Sequence, residues 1–334
     1  MCNDRDNSQT NGPIISKDDE AFEDSSSDLA SHVVDTPHQS LASSSTSVSS
    51  SIFNYRVENG RTYHKYKDGK YIYPNDPREI ERLDLQHALC LMTLRNALGR
   101  APPAAPGSNA KRVLDIGTGS GLWAIDFGEE HPETAVYGVD LSPVQPRAVP
   151  PNVQFEVDDI EEPWTYQIPF DYIFCRLMTG SIGNWQAFCK KSFNHLEPDG
   201  WLELQDVVNR PSSDDGSLTP EHTVSKWVQL TEEASEIFQR PFLDVLGLAE
   251  VMKEAGFVDV TVEKSKWPMN GWPKDPHYKE LGTWVNANFM EGIEAWTMAP
   301  FTRAHGWTRE EVLVYMIQLR KELNDRKIHA YWPM

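Results

Sequence analysis

The stretch Val113-Leu114-Asp115-Ile116-Gly117-Thr118-Gly119-Ser120-Gly121-Leu122-Trp123 decides the fold. It opens with a short buried strand that carries one acid, and from Leu122 the apolar pattern becomes helical. Between them stand three glycines, the residue that turns sharply and lets a ligand approach the backbone. Their spacing is G-x-G-x-G, whereas dinucleotide binding asks for G-x-G-x-x-G. Counted from Gly117 the last position falls on Leu122, and from Gly119 it falls on Ala124. The alanine form counted from Gly119 needs a glycine at 121, which is present, so a nicotinamide cofactor stays open as an alternative.

Strand and helix alternate onward from this turn. Ala135 to Asp140, Val153 to Val157, Phe170 to Cys175 and Trp201 to Val207 read as further strands. A helix around Trp185 to Leu196 closes at Glu197-Pro198-Asp199-Gly200. Strands separated by helices imply an α/β, Rossmann-like, doubly wound and mostly parallel sheet with helices on both faces. Beyond Asn209 the pattern predicts helices over 219–240 and 244–255, then a sixth strand from Val258 to Val262. A Trp/Pro-rich stretch, an apolar helix from about Gly282 to Trp296, and a last helix opened by the Thr308/Glu311 capping box follow.

On the N-terminal side, Tyr63 to Tyr73 alternates aromatic and polar residues around Asp68-Gly69, which predicts a hairpin. Pro74-Asn75-Asp76-Pro77 then starts a helix that ends at Gly99, and Ala101 to Ser108 reads as a linker. Residues 1–51 hold nine acids, two bases, fourteen serines and a single aromatic, Phe22. That composition cannot bury enough apolar surface to offset its ordering entropy, so a disordered acidic tail is expected, with Ser40 to Ser51 a possible phosphorylation target. The chain thus divides into a tail (1–51), an N-terminal extension, lid and linker (52–108), and a main domain with helical additions (109–334).

Charge and cysteine set outer limits. The net charge of −19 over 334 residues argues against direct nucleic-acid binding, which draws on clustered Lys and Arg. Four scattered cysteines without a C-x-x-C pair offer neither a disulfide framework nor a structural zinc site. No apolar run approaches the roughly 18 residues of a membrane helix, and the start has no signal-peptide pattern. A soluble intracellular protein is expected.

Four acids lie at strand ends along one sheet edge. Asp115 sits inside the first strand, Asp140 ends the second, and Asp158 and Asp159 follow the third. A carboxylate beside the glycine turn suits a cationic ligand better than a pyrophosphate. Asp140 is placed to accept from a ribose diol, and the pair after the third strand to meet an adenine amino group. The set suits adenosine joined to a sulfonium.

These residues resemble the S-adenosylmethionine-dependent methyltransferases, and more closely the fungal LaeA-like family. The resemblance covers most of residues 61–334 and rests on Tyr66 to Asp76, Asp115 to Asp126, Val139 to Pro143, Gly180 to Trp185 and Arg326 to Pro333. It implies S-adenosyl-L-methionine held by Gly117, Gly119, Gly121, Asp140 and Asp159, to which the reading of the strand ends and the turn adds Asp115, Thr118 and Asp158. It also implies velvet-family regulatory partners, a second LaeA-like methyltransferase as a further partner, and a place in cytoplasm and nucleus as a regulator of development and secondary metabolism. Relatives continue past the Tyr331-Trp332-Pro333 segment into a last strand, so the sheet is expected to lack its seventh strand and to have that edge covered.

Methyl transfer needs positioning first and a base only when the acceptor must lose a proton early. Arg176, just after the fourth strand, stands at the substrate edge of an open α/β sheet. Tyr63, His64 and Tyr66 could close over the cofactor, and Asp206 faces the same edge. No His–Asp or Cys–His pair stands out by spacing, and no metal cluster is expected. The acidic surface favours a basic partner, so a protein acceptor is expected; a cofactor-binding scaffold and a small-molecule methyltransferase are the alternatives.

Overall fold

A computed structural model describes residues 55–67 and 69–334. The tail (1–51), its Ser40–Ser51 run and the hairpin turn at Asp68 lie outside the described residues. The centre is a five-stranded parallel sheet of β3 (Arg112–Ile116), β4 (Ala135–Asp140), β5 (Val153–Val157), β6 (Phe170–Arg176) and β7 (Leu196–Gln205). Their spatial order is β5-β4-β3-β6-β7, so the order reverses beside β3. Ligands of open α/β sheets bind at that reversal, outside the carboxyl ends of the strands.

Strand periodicity divides the two faces. Val113 of β3 joins Trp123 and Phe127 of helix α2 (Leu122–Glu130) in one apolar cluster. Leu114 and Ile116 point the other way, toward Trp185 and Phe188 of α3 (Trp185–Asn194) and Leu248 of α5 (Leu248–Ala255). Trp123 stacks on Phe174 with centroids 3.9 Å apart, which fixes α2 against β6.

Several expectations change. The hairpin lies one step earlier: β1 (Arg56–Glu58) pairs with β2 (Arg61–Tyr63) across Asn59-Gly60. Residues 64–67 and 69–75 form no strand, and the segment instead ties itself to the loop after β5 and lines the cavity below it. The segment read as a linker is packed down, with a short 3-10 turn at Pro102–Ala104 and Ala101 and Ala104 in the core. The loop Glu197 to Gly200, read as a helix stop, lies within β7, with Asp199 at φ 64°.

A further change concerns the far edge. Val258 to Val262 forms no strand, and Val258 stays 82% exposed. Beside β7 this segment walls a groove of about 390 Å³ in place of a sixth strand. The C-terminal residues do form a strand, β10 (Ala330–Pro333), which pairs antiparallel with β8 (Ser212–Ser213) and β9 (Lys266–Pro268) in a second sheet.

Helices complete the molecule. In the N-terminal part, α1 (Pro77–Thr93) is capped by Asp76, which accepts from the Glu79 N–H. It ends at Thr93, short of Gly99, where Arg95 and Asn96 turn to positive φ. In the C-terminal part, α4 (Thr223–Ile237), α6 (Pro276–Ala304) and α7 (Arg309–Leu323) share an apolar cluster with β9 and β10. The Thr308/Glu311 capping box forms as expected, with both reciprocal hydrogen bonds. Among the described residues no helix is long and apolar enough to cross a membrane.

Candidate active site

The turn after β3 is built by its glycines. Gly117 adopts φ +68°, where an L side chain is strained, and the Met178 sulfur occupies the place of its missing Cβ. Gly121 caps α2 at φ +85°, and a Cβ there would meet the Phe155 ring at 2.5 Å. The Gly117 and Thr118 N–H groups both donate to the Val139 carbonyl, at 3.0 and 3.1 Å. Asp140 ties the loop from the neighbouring strand: Oδ2 accepts from the Gly119 N–H and Oδ1 from the Ser142 N–H, both at 3.0 Å.

Above this loop lies a cavity of about 260 Å³, lined by Gly117, Gly119, Asp140, Asp158 and Asp159 on the sheet side. Burial pushes Asp140 up to about 6 against the bonds it accepts from Ser142, Gly119 and Leu141 N–H groups. Asp115 lies beneath the loop, 3% exposed, and takes a 2.6 Å hydrogen bond from the Thr118 hydroxyl. Its carboxyl is pushed up to about 7, chiefly by burial, against the Thr118 bond and the Arg176 charge. Two acids held this way retain a deficit of positive charge that a cationic ligand can relieve.

The segment between β2 and α1 closes the cavity from above. Lys70, Tyr71, Tyr73, Pro74 and Asn75 all line it. Lys70 ion-pairs with Asp159, and Lys67 with Glu162 at 2.8 Å. Asp159 Oδ1 also accepts from the Glu161 N–H, so both of its oxygens hold the closing segment and the loop after β5. Burial raises the Tyr71 and Tyr73 phenols well above their ordinary range.

The opposite end is aromatic. Trp227, Trp267, Phe289, Trp296 and Trp332 line it from the C-terminal helices and the second sheet. Phe289 stacks on Trp332 with centroids 4.2 Å apart and meets Trp296 edge-on at 5.1 Å. Arg176 lines the same cavity. Its Nη2 donates to His87 Nδ1 at 2.9 Å, and His87 Nε2 lies 2.8 Å from Asp126 Oδ2. A guanidinium N–H only donates, so His87 Nδ1 accepts and its Nε2–H donates to Asp126. The chain Asp126–His87–Arg176 therefore aims the guanidinium.

Several residues expected at the site come together: Gly117, Gly119, Asp140, Asp158, Asp159 and Arg176 line one cavity, joined by Asp206. Asp115, Thr118 and Gly121 do not line it; they brace the loop from below. Tyr63 and Tyr66 are also absent from the lining. Tyr63 is buried under the Arg303 guanidinium, 4.7 Å from its ring centroid. Tyr71 and Tyr73 of the same segment line the cavity instead. Asp206 accepts four hydrogen bonds, from the Met178, Thr179 and Val207 N–H groups and the Thr179 hydroxyl, which makes it a loop anchor.

Sequence reading missed the His87–Asp126 pair because its members are 39 residues apart on different helices. It also missed Arg82, which is buried against Glu79, Gln86 and Asn288. It gave the aromatic wall no role, though the clustering of Trp in the last third of the chain was a visible signal.

The site fits S-adenosylmethionine. Gly117 and Gly119 present bare backbone to the cavity, and a Cβ on Gly119 would stand 3.2 Å from Leu83. Asp140 and Asp158 line the cavity beside them, with acceptor oxygens that suit a ribose and an adenine amino group, and the raised Asp140 and Asp115 carboxyls favour a positive ligand.

Comparison with known proteins points to the same chemistry. Residues 84–262 match a family described as a methyltransferase domain. The chain is 42% identical over 298 residues to methyltransferase pytC of Aspergillus terreus, covering 89% of this chain and 91% of that protein. It is 37% identical over 282 residues to secondary metabolism regulator LAE1 of Cochliobolus heterostrophus, covering 83% and 92%. It is 34% identical over 278 residues to secondary metabolism regulator laeA of Aspergillus fumigatus, covering 82% and 73%.

Proposed function

The chain belongs to the LaeA-like branch of the methyltransferase-domain family, and on that premise we propose that it methylates a small acceptor enclosed in the cavity, with S-adenosylmethionine as donor. The observation that carries the acceptor reading is that one cavity is lined both by the glycine loop and acids and by an aromatic wall. Aromatic walls alone would also suit a lysine ammonium, but the Arg176 guanidinium lining the same cavity repels one. This favours the small-molecule alternative over the protein acceptor that the acidic surface suggested.

When bound, the cofactor supplies an electrophilic methyl group on a sulfonium. The chain's own contribution is placement. The glycine loop and Asp140 hold one end, the Lys70–Tyr73 segment excludes water, and Arg176 orients or neutralises the acceptor.

A second reading extends the first: a regulator of development and secondary metabolism, working in cytoplasm and nucleus with velvet-family proteins or a second LaeA-like methyltransferase. Two observations support it, the relatives named as secondary metabolism regulators and the open groove beside β7 where a partner strand would complete the sheet. A cofactor-binding scaffold would share that groove but would not need the aromatic chamber.

Calorimetric titration with S-adenosylmethionine tests the donor, with NAD as the control for the alternative left open by the glycine spacing. Saturable binding of the first and none of the second is expected. Binding of NAD alone overturns the reading.

A further inference from the structure

The acceptor end of the cavity shows which polar groups remain to meet a ligand. Trp227 Nε1 donates to Thr297 and Trp267 Nε1 to Thr93, at 2.9 and 2.8 Å. Trp332 Nε1 points to the Asn209 carbonyl. The Thr231 hydroxyl donates to the Val228 carbonyl at 2.8 Å. Arg82 is committed to Glu79, Gln86 and Asn288, and its guanidinium lies 5.0 Å over the Trp296 ring. Asp206 already accepts four bonds. These walls therefore offer π faces and carbon, with little hydrogen bonding left over.

Arg176 differs. Among the described residues it makes one hydrogen bond, to His87, and no salt bridge to a carboxylate. Asp115 feels its charge from a distance, but among the described residues no carboxylate contacts the guanidinium, and an incompletely paired guanidinium in a mostly apolar chamber is costly. A flat anion relieves that cost and stacks on the ring faces beside it.

Resting on the methyl-transfer reading, we propose that the acceptor is a flat, conjugated molecule with an acidic hydroxyl, a phenol or an enol, whose oxyanion is held by Arg176 while its frame lies against Phe289 and Trp296. The step balances. The acceptor's proton goes to solvent as Arg176 takes the oxyanion, and an oxygen lone pair forms the new bond to the methyl carbon. The pair of the broken carbon–sulfur bond stays on sulfur. One phenolate and one sulfonium give an ether and a thioether. Arg176 is then a catalytic residue in contact with the acceptor, and His87 and Asp126 are positioning residues behind it.

The probe is 4-nitrophenol, whose ionised form absorbs visible light, added to the full chain without cofactor. Binding quenches tryptophan fluorescence, and the ionisation midpoint of the bound phenol falls by about one pH unit, the ordinary effect of a nearby opposite charge. Arg176→Gln abolishes that shift, and Phe289→Leu weakens binding about tenfold while keeping an apolar side chain in place. His87→Ala reduces the shift without changing the fluorescence of the free protein. An unmoved midpoint in the wild-type chain overturns the proposal. So does an Arg176→Gln variant that loses S-adenosylmethionine affinity yet keeps the phenol shift, since Arg176 would then serve the donor. Calorimetry with S-adenosylmethionine separates the two levels: donor binding without phenol binding removes this inference alone, and absence of donor binding removes the methyl-transfer reading beneath it.

Discussion

Asp115 is an acid that the fold holds at a cost. It is almost fully buried with one hydroxyl partner, and its carboxyl rises to about 7, while Asp140 rises to about 6. The folded chain keeps protons that the unfolded chain releases once the pH passes the ordinary carboxylate range. The two acids' contribution to free-protein stability is therefore fully present below about pH 4, falls as pH rises from there through about 6 to 7, and is level above. A cationic donor binds the ionised form, so its affinity should rise over the same window. Melting temperatures across that range, with and without S-adenosylmethionine, check both slopes; a flat free-protein curve would contradict the burial argument. Asp115→Asn, which can still accept from Thr118, should flatten the free-protein curve, stabilise the chain above pH 7 by about 2 kcal/mol or more, and weaken donor binding. Gly117→Ala acts on the backbone: its left-handed φ and the Met178 sulfur together predict a loss of roughly 1–3 kcal/mol and of donor binding. Both residues were legible as special from sequence. Their division of labour was not, because spacing locates a loop but does not say which carboxylate points over it and which under it.

The closing segment and α1 show what elements add. Two lysines clasp the segment to the loop after β5, and their settings differ. Lys67–Glu162 joins two groups that are 36% and 48% exposed, whereas Lys70 pairs with an Asp159 that is only 3% exposed. An exposed pair is worth about 0–1 kcal/mol, while removing the partner of a buried carboxylate costs about 3–5 kcal/mol. Lys67→Ala should be near neutral in melting temperature and donor release. Lys70→Ala should destabilise the chain and speed donor release about tenfold in stopped-flow measurements. Equal effects would mean that the segment is held by packing alone. The sequence announced this element but misplaced its structure. Alternating aromatics from Tyr63 to Tyr73 fit a strand, yet the side chains from Tyr71 onward line the cavity or pack beneath it, so packing against the site overrode β-propensity. The five parallel strands were legible because buried β-branched and aromatic runs alternate with amphipathic helices. The Val258–Val262 segment had the same pattern and formed no strand, since no neighbouring strand pairs with it.

Across the whole molecule, the cavity lies where the parallel sheet meets the C-terminal helices, and each part supplies one chemistry. The sheet carries glycines and carboxylates; α4, α6 and the second sheet carry the aromatic wall. That joint could not be read from sequence, because it depends on β10 returning between β8 and β9, where Trp332 is set against Trp267. Trp332 is 2% exposed and stacks on Phe289, so it belongs to the core of the helical part as well as to the chamber. Trp332→Ala should cost about 3–5 kcal/mol as a large-to-small core change. If donor and acceptor ends are independent, S-adenosylmethionine affinity measured well below the lowered melting temperature should stay within about threefold of wild type, because the glycine loop, Asp140 and the closing segment touch none of the lost atoms. The aromatic probe should bind at least tenfold more weakly in the same sample. Parallel loss of both affinities would show that the two parts of the cavity close as a unit, and the donor loop would then owe its shape to the helices as much as to the sheet.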